Sequence, residues 1–279
     1  MWTPENRGLY DRGQLRYPSD LTDAEWALIK PHIPPARRGG RRRSVDEREI
    51  VNGIMYVLST GCQWRYIPRD LPPRSTLHEY LSRWDHDGTL EKIHHTLYVK
   101  CREQLGREAS PTAGVIDSQS VKSAEKGGAC IDPNGYDAGK KIKGKKRHIL
   151  VDTLGLLLHA VVHPADIQDR DGGVLVLSTL FGMYPFLLKL FVDGGYQGPQ
   201  FRAAVAAVLP QLSVEVVKRS DQANGFEVLP KRWVVERTFA WLGRCRRLAK
   251  DFEKLARNAV AFLRLASIRL TLRRLCNPA

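Results

Sequence analysis

The chain has 279 residues, 43% hydrophobic and 27% charged, an ordinary globular composition that suits one large domain or two smaller ones. Its formal net charge of +14 points to a polyanionic partner, either nucleic acid or an anionic membrane surface. Five scattered cysteines without a Cys-x-x-Cys pair argue against a disulfide framework or a zinc site, and no apolar run approaches the ~18–20 residues of a membrane span, so the expectation is a cytoplasmic, nucleoid-associated protein with reduced thiols, no export leader and no membrane partner.

The first third reads as helical. Thr22 and Glu25 form a capping-box pair ahead of Trp26, and Pro31, Pro34 and Pro35 stop that helix. A basic linker follows, ending in Arg41, Arg42 and Arg43. Ser44 with Glu47 opens a second helix that Gly61 closes, and Thr76 with Glu79 opens a third that Gly88 closes. A fourth is expected over 90–105. Together they suggest a small all-helical domain over 1–109, a DNA-binding unit of helix-turn-helix type; a helical dimerisation or packing module fits the pattern equally well.

Near Ser110-Pro111 the pattern changes. A strand is expected at 113–117, then a long Gly- and Lys-rich loop over 123–147. Strands at 148–152 and 156–162 flank the turn Thr153-Leu154-Gly155. A helix over 168–180, a strand at 187–192, a helix over 200–208 and a strand at 213–217 come next. From 231 the chain reads as helical almost to its end. The order β-β-β-α-β-α-β-α is that of a ribonuclease-H-like domain over 110–279: an α/β (α+β) mixed sheet, its first three strands antiparallel, with helices on both faces.

That arrangement brings together the ends of the first and fourth strands, where Asp117 and Asp193 follow the apolar runs Val115-Ile116 and Leu190-Phe191-Val192. The final helix delivers Glu236. Three carboxylates in one place repel and resist ionisation unless a cation holds them. Oxygen-only ligands suit Mg²⁺, with Mn²⁺ able to substitute, so a two-metal phosphoryl-transfer site is expected on Asp117, Asp193 and Glu236. Asp152, Asp166, Asp169 and Asp171 have local explanations as turn or helix-start residues.

Residues 111–279 carry 26 Lys+Arg against 15 Asp+Glu, whereas residues 1–110 carry 18 against 15, so the half with the acids is the basic one. Its expected phosphate contacts are Lys122, the loop lysines Lys140, Lys141, Lys143, Lys145 and Lys146 with Arg147, and the helix bases Arg232, Arg237, Arg244, Arg246 and Arg247. His148, His159 and His163 lack ligand spacing and read as packed core histidines. Trp241 reads as a helix-packing residue, with stacking on a displaced base as the alternative.

Ile116-Asp117-Ser118-Gln119-Ser120-Val121-Lys122 resembles the first-Asp motif of bacterial insertion-sequence DDE transposases. Lys145-Lys146-Arg147-His148 to Gly155 and Ala165-Asp166-Ile167-Gln168-Asp169-Arg170 resemble the next blocks of that family, and Val192-Asp193-Gly194-Gly195-Tyr196 resembles its second-Asp motif. Trp233 to Leu242 with Arg246-Arg247-Leu248 resembles the Glu block, and residues 15–100 resemble the family's helical N-terminal domain. Two positions depart from the pattern: Leu229 stands where relatives carry Tyr, and Gly243 where they carry a basic residue, leaving Arg244 or Arg247 for that role. The resemblance implies a transposase that cuts element ends and joins them to target DNA with two Mg²⁺ ions. Its partners would be double-stranded terminal repeats, target DNA and a second copy of the chain in the synaptic complex. A regulatory relic of an element and a structure-specific nuclease of the same fold are the alternatives.

Overall fold

The computed structural model describes residues 8–36, 44–180, 182–217 and 230–277. The expected linker bases Arg41, Arg42 and Arg43, and Leu229 of the last block, lie outside the described residues. Four helices come first: α1 (Asp23–Ile29), α2 (Glu47–Thr60), α3 (Arg74–His86) and α4 (Thr89–Gln104). α1 opens with the expected capping box, in which Glu25 N donates to Thr22 Oγ1 at 3.2 Å and Thr22 N to Glu25 Oε2 at 2.9 Å. α2 is capped by Asp46 rather than Ser44: the carboxylate accepts from Arg48 N at 2.8 Å, and a negative cap also complements the helix dipole. α3 starts behind Pro73, ahead of the expected Thr76, because a fixed proline φ already suits entry into a helix. α2 ends at Gly61, where φ is +68° and an added Cβ would stand 2.9 Å from the Arg246 backbone, so both conformation and space demand glycine.

The chain then builds one mixed sheet from β1 (Ala113–Lys122), β2 (Gly135–Asp137), β3 (Ile142–Asp152), β4 (Leu157–Pro164), β5 (Lys189–Val192) and β6 (Ser213–Val216). β1 is central. On one side it runs antiparallel to β3, with Asp117 opposite Ile149. β2 and β4 share the far edge of β3, both antiparallel to it. On the other side β1 runs parallel to β5, and β5 parallel to β6. Four helices complete the α+β fold: α5 (Asp169–Ser178), α6 (Pro199–Val208), α7 (Pro230–Gly243) and α8 (Ala256–Cys276). None of the described helices is long and apolar enough to cross a membrane.

Three expectations need correction. The first strand does not stop at Asp117: β1 continues to Lys122 because Ser118 to Lys122 pair with His148 to Gly144 of β3, so Asp117 lies mid-strand. The basic end of the long loop is strand: β2 and β3 form a hairpin, and Lys145, Lys146 and Arg147 sit inside β3. Sandwiched between β1 and β4, this stretch has its backbone groups paired on both edges, which outweighs its poor strand composition. The last helix is also two helices. α7 ends at Gly243, a single 3₁₀ turn covers Arg246–Leu248, and α8 starts at Ala256. Glycine is a poor helix former, and the break lets Arg247 turn inward onto Glu253.

Each sheet face carries its own apolar cluster. Val115, Ile149 and Phe191 face α7 and α8, and that cluster continues without a gap into α1–α4 through residues such as Ile29, Ile54, Leu77 and Leu97. Ile116, Leu150, Leu190 and Val192 face α5 and α6, with Tyr98 and Cys101 of α4 joining them. Secondary structure therefore switches from helix to strand near residue 110, but the core does not divide there.

Candidate active site

β1 and β5 are parallel neighbours with Val115 opposite Phe191. Asp117 and Asp193 each lie two residues further along, on the face that meets α7. Asp193 caps the one-turn helix Gly194–Tyr196, with Gly195 N donating to its Oδ1 at 2.8 Å. Asp117 accepts from Ser118 N at 2.7 Å. Burial pushes the Asp117 carboxyl up to about 7; Asp193 adds to the rise, while the Ser118 amide and the Arg232 and Lys140 cations oppose it.

α7 presents Glu236 beside this pair, connected to it by Arg232. The guanidinium lies between the two acids, with Nη2 3.7 Å from Asp193 Oδ2 and Nε 3.2 Å from Glu236 Oε1. The three expected acids thus share one locality. Among the described residues, however, no three His, Cys, Asp or Glu side chains are gathered closely enough to hold a metal ion. The donor chemistry fits a hard divalent cation nonetheless. The donors are all oxygen, Asp117 is a carboxyl that a nearby cation would return to its charged form, and Arg232 already contributes one positive charge between the other two.

Asp169 belongs to the same neighbourhood, which the helix-start reading missed. The Tyr196 hydroxyl, buried and raised well above its ordinary pKa, is pushed first by burial and then by Asp117, Asp169 and Asp193. Ser118 Oγ, on the strand face opposite Asp117, donates to Asp169 Oδ1 at 2.8 Å. The signal in the sequence was the serine directly after the first catalytic-type aspartate.

The basic residues divide. Lys122, Lys140, Lys141, Lys143, Arg244 and Arg246 are exposed, and Arg232 is partly so. Lys145, Lys146, Arg147 and Arg247 are buried and cannot meet a phosphate backbone in this fold. Lys145 Nζ donates to Pro133 O at 2.7 Å, and Arg147 Nη1 to Leu248 O at 2.7 Å. Arg247 pairs with Glu253 at 2.7 Å and lies over the rings of Trp64, Phe252 and Phe262, which removes it as the substitute for the missing basic residue and leaves Arg244. Arg237 stacks between Trp233 and Trp241, and Arg274 covers Trp241 as well, so Trp241 is packed between cations.

His148 and His163 are core groups as expected, and His159 is half-buried. His148 is fully buried; His148 Nδ1 and His163 Nε2 lie 2.8 Å apart, and an added Cβ at Gly172 of α5 would stand 2.3 Å from the His148 ring. Asp152 does more than turn the chain. Its Oδ1 accepts from Leu154 N and Leu156 N, both at 2.9 Å, while Oδ2 forms a buried ion pair with Arg102 of α4.

Two family models match the chain. "Transposase DDE domain" matches residues 108–270, more than half of the sequence and all three acids, and "Putative transposase of IS4/5 family" matches residues 21–94. A protein of Burkholderia cepacia named "Insertion element IS402 uncharacterized 16.2 kDa protein" is 30% identical over 113 residues, 38% of this chain and 76% of that protein. The "Putative transposase for insertion sequence element IS402" of the same organism is 32% identical over 145 residues, 48% of this chain and 64% of its own length. "Uncharacterized protein y4sN" of Sinorhizobium fredii is 26% identical over 103 residues, 37% of this chain and 76% of that protein. With the first model spanning Asp117, Asp193 and the helix that carries Glu236, the chain belongs to the transposase DDE domain family of insertion-sequence transposases.

Proposed function

We propose that the chain cuts DNA at the ends of an insertion element and joins those ends to target DNA, using Asp117, Asp193 and Glu236. The observation that carries this reading is the placement of Asp117 and Asp193 two residues beyond the last β1–β5 parallel pair, Asp117 within β1 and Asp193 just after β5, with Glu236 linked to them through Arg232. The strand order, antiparallel around β3 and parallel through β5 and β6, supports a ribonuclease-H-like catalytic unit.

The three carboxylates are the residues to hold two divalent ions, Mg²⁺ by preference. When bound, magnesium supplies positive charge that favours deprotonation of an attacking hydroxyl and offsets charge on the leaving oxygen. Arg232 holds Asp193 and Glu236 near one another by pairing with both. Exposed Lys122, Lys140, Lys141 and Lys143 hold the phosphodiester backbone near the acids. In the first step water attacks the phosphorus at the element's end, and the bond to the 3′-oxygen breaks to free a 3′-hydroxyl. In the second, that hydroxyl attacks a target phosphodiester and displaces the target's own 3′-oxygen. The helices α1–α4 recognise the terminal repeats, and two chains act together because two ends must be joined and each chain has one acidic set.

The test is incubation of the purified protein with duplexes bearing the element's termini in Mg²⁺. Nicking at the terminus is expected from the wild type and is lost in Asp117→Asn. Equal nicking by a variant lacking all three acids would overturn the reading.

A further inference from the structure

The motifs around β1 and β3 contain a charge cluster that the catalytic reading leaves unused. On the face of β1 opposite Asp117, two serines are buried, and each donates to a carboxylate: Ser118 to Asp169 at 2.8 Å, and Ser120 to Asp137. One buried lysine bridges both acids. Lys146 Nζ lies 3.0 Å from Asp169 Oδ1 and 3.7 Å from Asp137 Oδ2, and donates to Ile167 O at 2.7 Å. It sits directly opposite Ser120 in the β1–β3 register. With only 5% of its surface exposed, Lys146 is fully engaged inside the fold.

The cluster has an outlet at the surface. Asp137 ends β2, and its second oxygen, Oδ1, accepts from Lys140 N at 3.0 Å. That bond fixes the turn carrying exposed Lys140 and Lys141, the latter at the unusual φ of +54°. The field of Lys140 in turn reaches both Asp117 and Asp169. A continuous path of contacts therefore runs from the strand of Asp117, through Ser120, Asp137 and Lys146, to the hairpin tip.

We propose that Asp137, Lys146 and Ser120 are positioning residues that fix the β2–β3 hairpin against β1, and so set the distance between the Lys140–Lys141 phosphate clamp and the Asp117–Asp193 pair. Lys146, expected from the sequence to touch DNA, acts through the hairpin. This inference rests on the proposed DNA-cutting reading for the role of the clamp, and on the geometry alone for the tether. A buried bridge of this kind gives direction because each of its groups is costly to leave unpaired, so the hairpin has one favourable placement.

The test is a double-mutant cycle on the full-length chain, with single-turnover cleavage at saturating DNA for wild type, Asp137→Asn, Lys140→Ala and the double variant. Asp137→Asn is expected to stay folded, to bind duplex DNA without metal as the wild type does, and to cleave about 10–100-fold more slowly, the scale of lost outer support for a metal site. Lys140→Ala is expected to cost far less in the Asp137→Asn background than in the wild type, because its clamp is already displaced. Losses that simply multiply, as for independent sites, would overturn the proposal, as would wild-type cleavage by Asp137→Asn. Should Asp137→Asn not fold, Ser120→Ala releases the same tether without leaving a buried charge unpaired, and the same cycle applies. If the wild type itself does not cut DNA, the functional reading fails separately; the tether is then read by amide hydrogen exchange at Lys140, whose N–H donates to Asp137: faster exchange in Asp137→Asn and Ser120→Ala is required, and unchanged exchange in both overturns the proposal.

Discussion

The two faces of the sheet are built to different ends. On the face of Val115 and Phe191, apolar side chains from six helices pack together, and at its margin lie three acids, one of them destabilised as an anion. On the face of Ile116 and Leu190, α5 and α6 with Tyr98 and Cys101 of α4 cover a smaller cluster whose margin is polar and joined by Ser118, Ser120, Lys146, Asp137 and Asp169. Alternation along β1 makes the contrast possible, since Asp117 and Ser118 are neighbours in sequence yet point to opposite faces. The buried Asp117 carboxyl is offset by the Ser118 amide and by the Arg232 and Lys140 cations, while the other face of the same strand is held by hydrogen-bonded side chains.

The strongest way to break this comparison is to strip one face. Removing residues 1–105 takes away α1–α4 and exposes the apolar side of α8, so the remaining fragment is expected to lose cooperative folding, while the full chain unfolds in a single transition. Two separate transitions by circular dichroism would show that the faces are independent. Next come the acids. Asp117→Asn, Asp193→Asn and Glu236→Gln are each expected to lower cleavage by about 10²–10³-fold or more, the cost of removing one preorganised electrostatic group, with duplex affinity little changed. Near wild-type cleavage in Mg²⁺ by any one of them would remove that residue from the site.

Arg102 sharpens the comparison from the second face. Arg102→Met leaves Asp152 buried without its partner and is expected to destabilise the chain by about 3–5 kcal/mol in urea unfolding. An unchanged midpoint would mean that the pair contributes nothing. The buried histidines then test both faces at once. Burial holds His94, beside α8, and His148, under α5, at about 3, far below their ordinary value of 6.5. Folded-state pKa values are depressed, so the unfolded chain binds more protons between pH 6.5 and about 3, and stability falls as pH falls through that window. Each histidine adds a slope of up to about 1.4 kcal/mol per pH unit there. His94→Gln should lose less stability than the wild type between pH 7 and pH 5, and an unaltered difference would contradict its burial as a neutral group.

The smallest effect separates exposed from buried bases. Lys141→Ala should reduce the salt slope of duplex binding by about 0.9, the value of one phosphate contact, whereas Lys145→Met should leave it unchanged. Equal changes would return Lys145 to the DNA surface.

Much of this fold was legible because local chemistry and global placement agree in it. The Thr22 capping box, the aspartates after the apolar runs at 115–116 and 190–192 and the change of pattern near residue 110 all follow from residues within a few positions of one another, whereas the run of β1 past Asp117 to Lys122 depends on pairing with β3. The buried bases were not legible for the opposite reason. Lys145, Lys146 and Arg147 look like a solvated loop until β1 and β4 enclose them, and their partners, Pro133 O, Asp169 and Leu248 O, are 12, 23 and 101 residues away in sequence. The place of Asp169 was hidden in the same way. A helix-start aspartate has a sufficient local role, and only its contact with Ser118 across the sheet gives it another. The halving of the last helix at Gly243 depended on Arg247 finding Glu253 and the Trp64 ring.

α8 touches both the sheet and the first four helices, and His94 of α4 meets Ser267 of α8 at 3.0 Å in the middle of that junction. The helix is a keystone: lifted out, it leaves neither arch standing. Exchange of parts between such elements is constrained accordingly. A catalytic half cannot acquire a foreign helical unit as a bead is threaded on a string, because the newcomer must fit a surface contributed by α8 of the recipient. The segments that form α1–α4 and α8 are therefore bound to change together, and hybrids with one crossover between them should fold poorly.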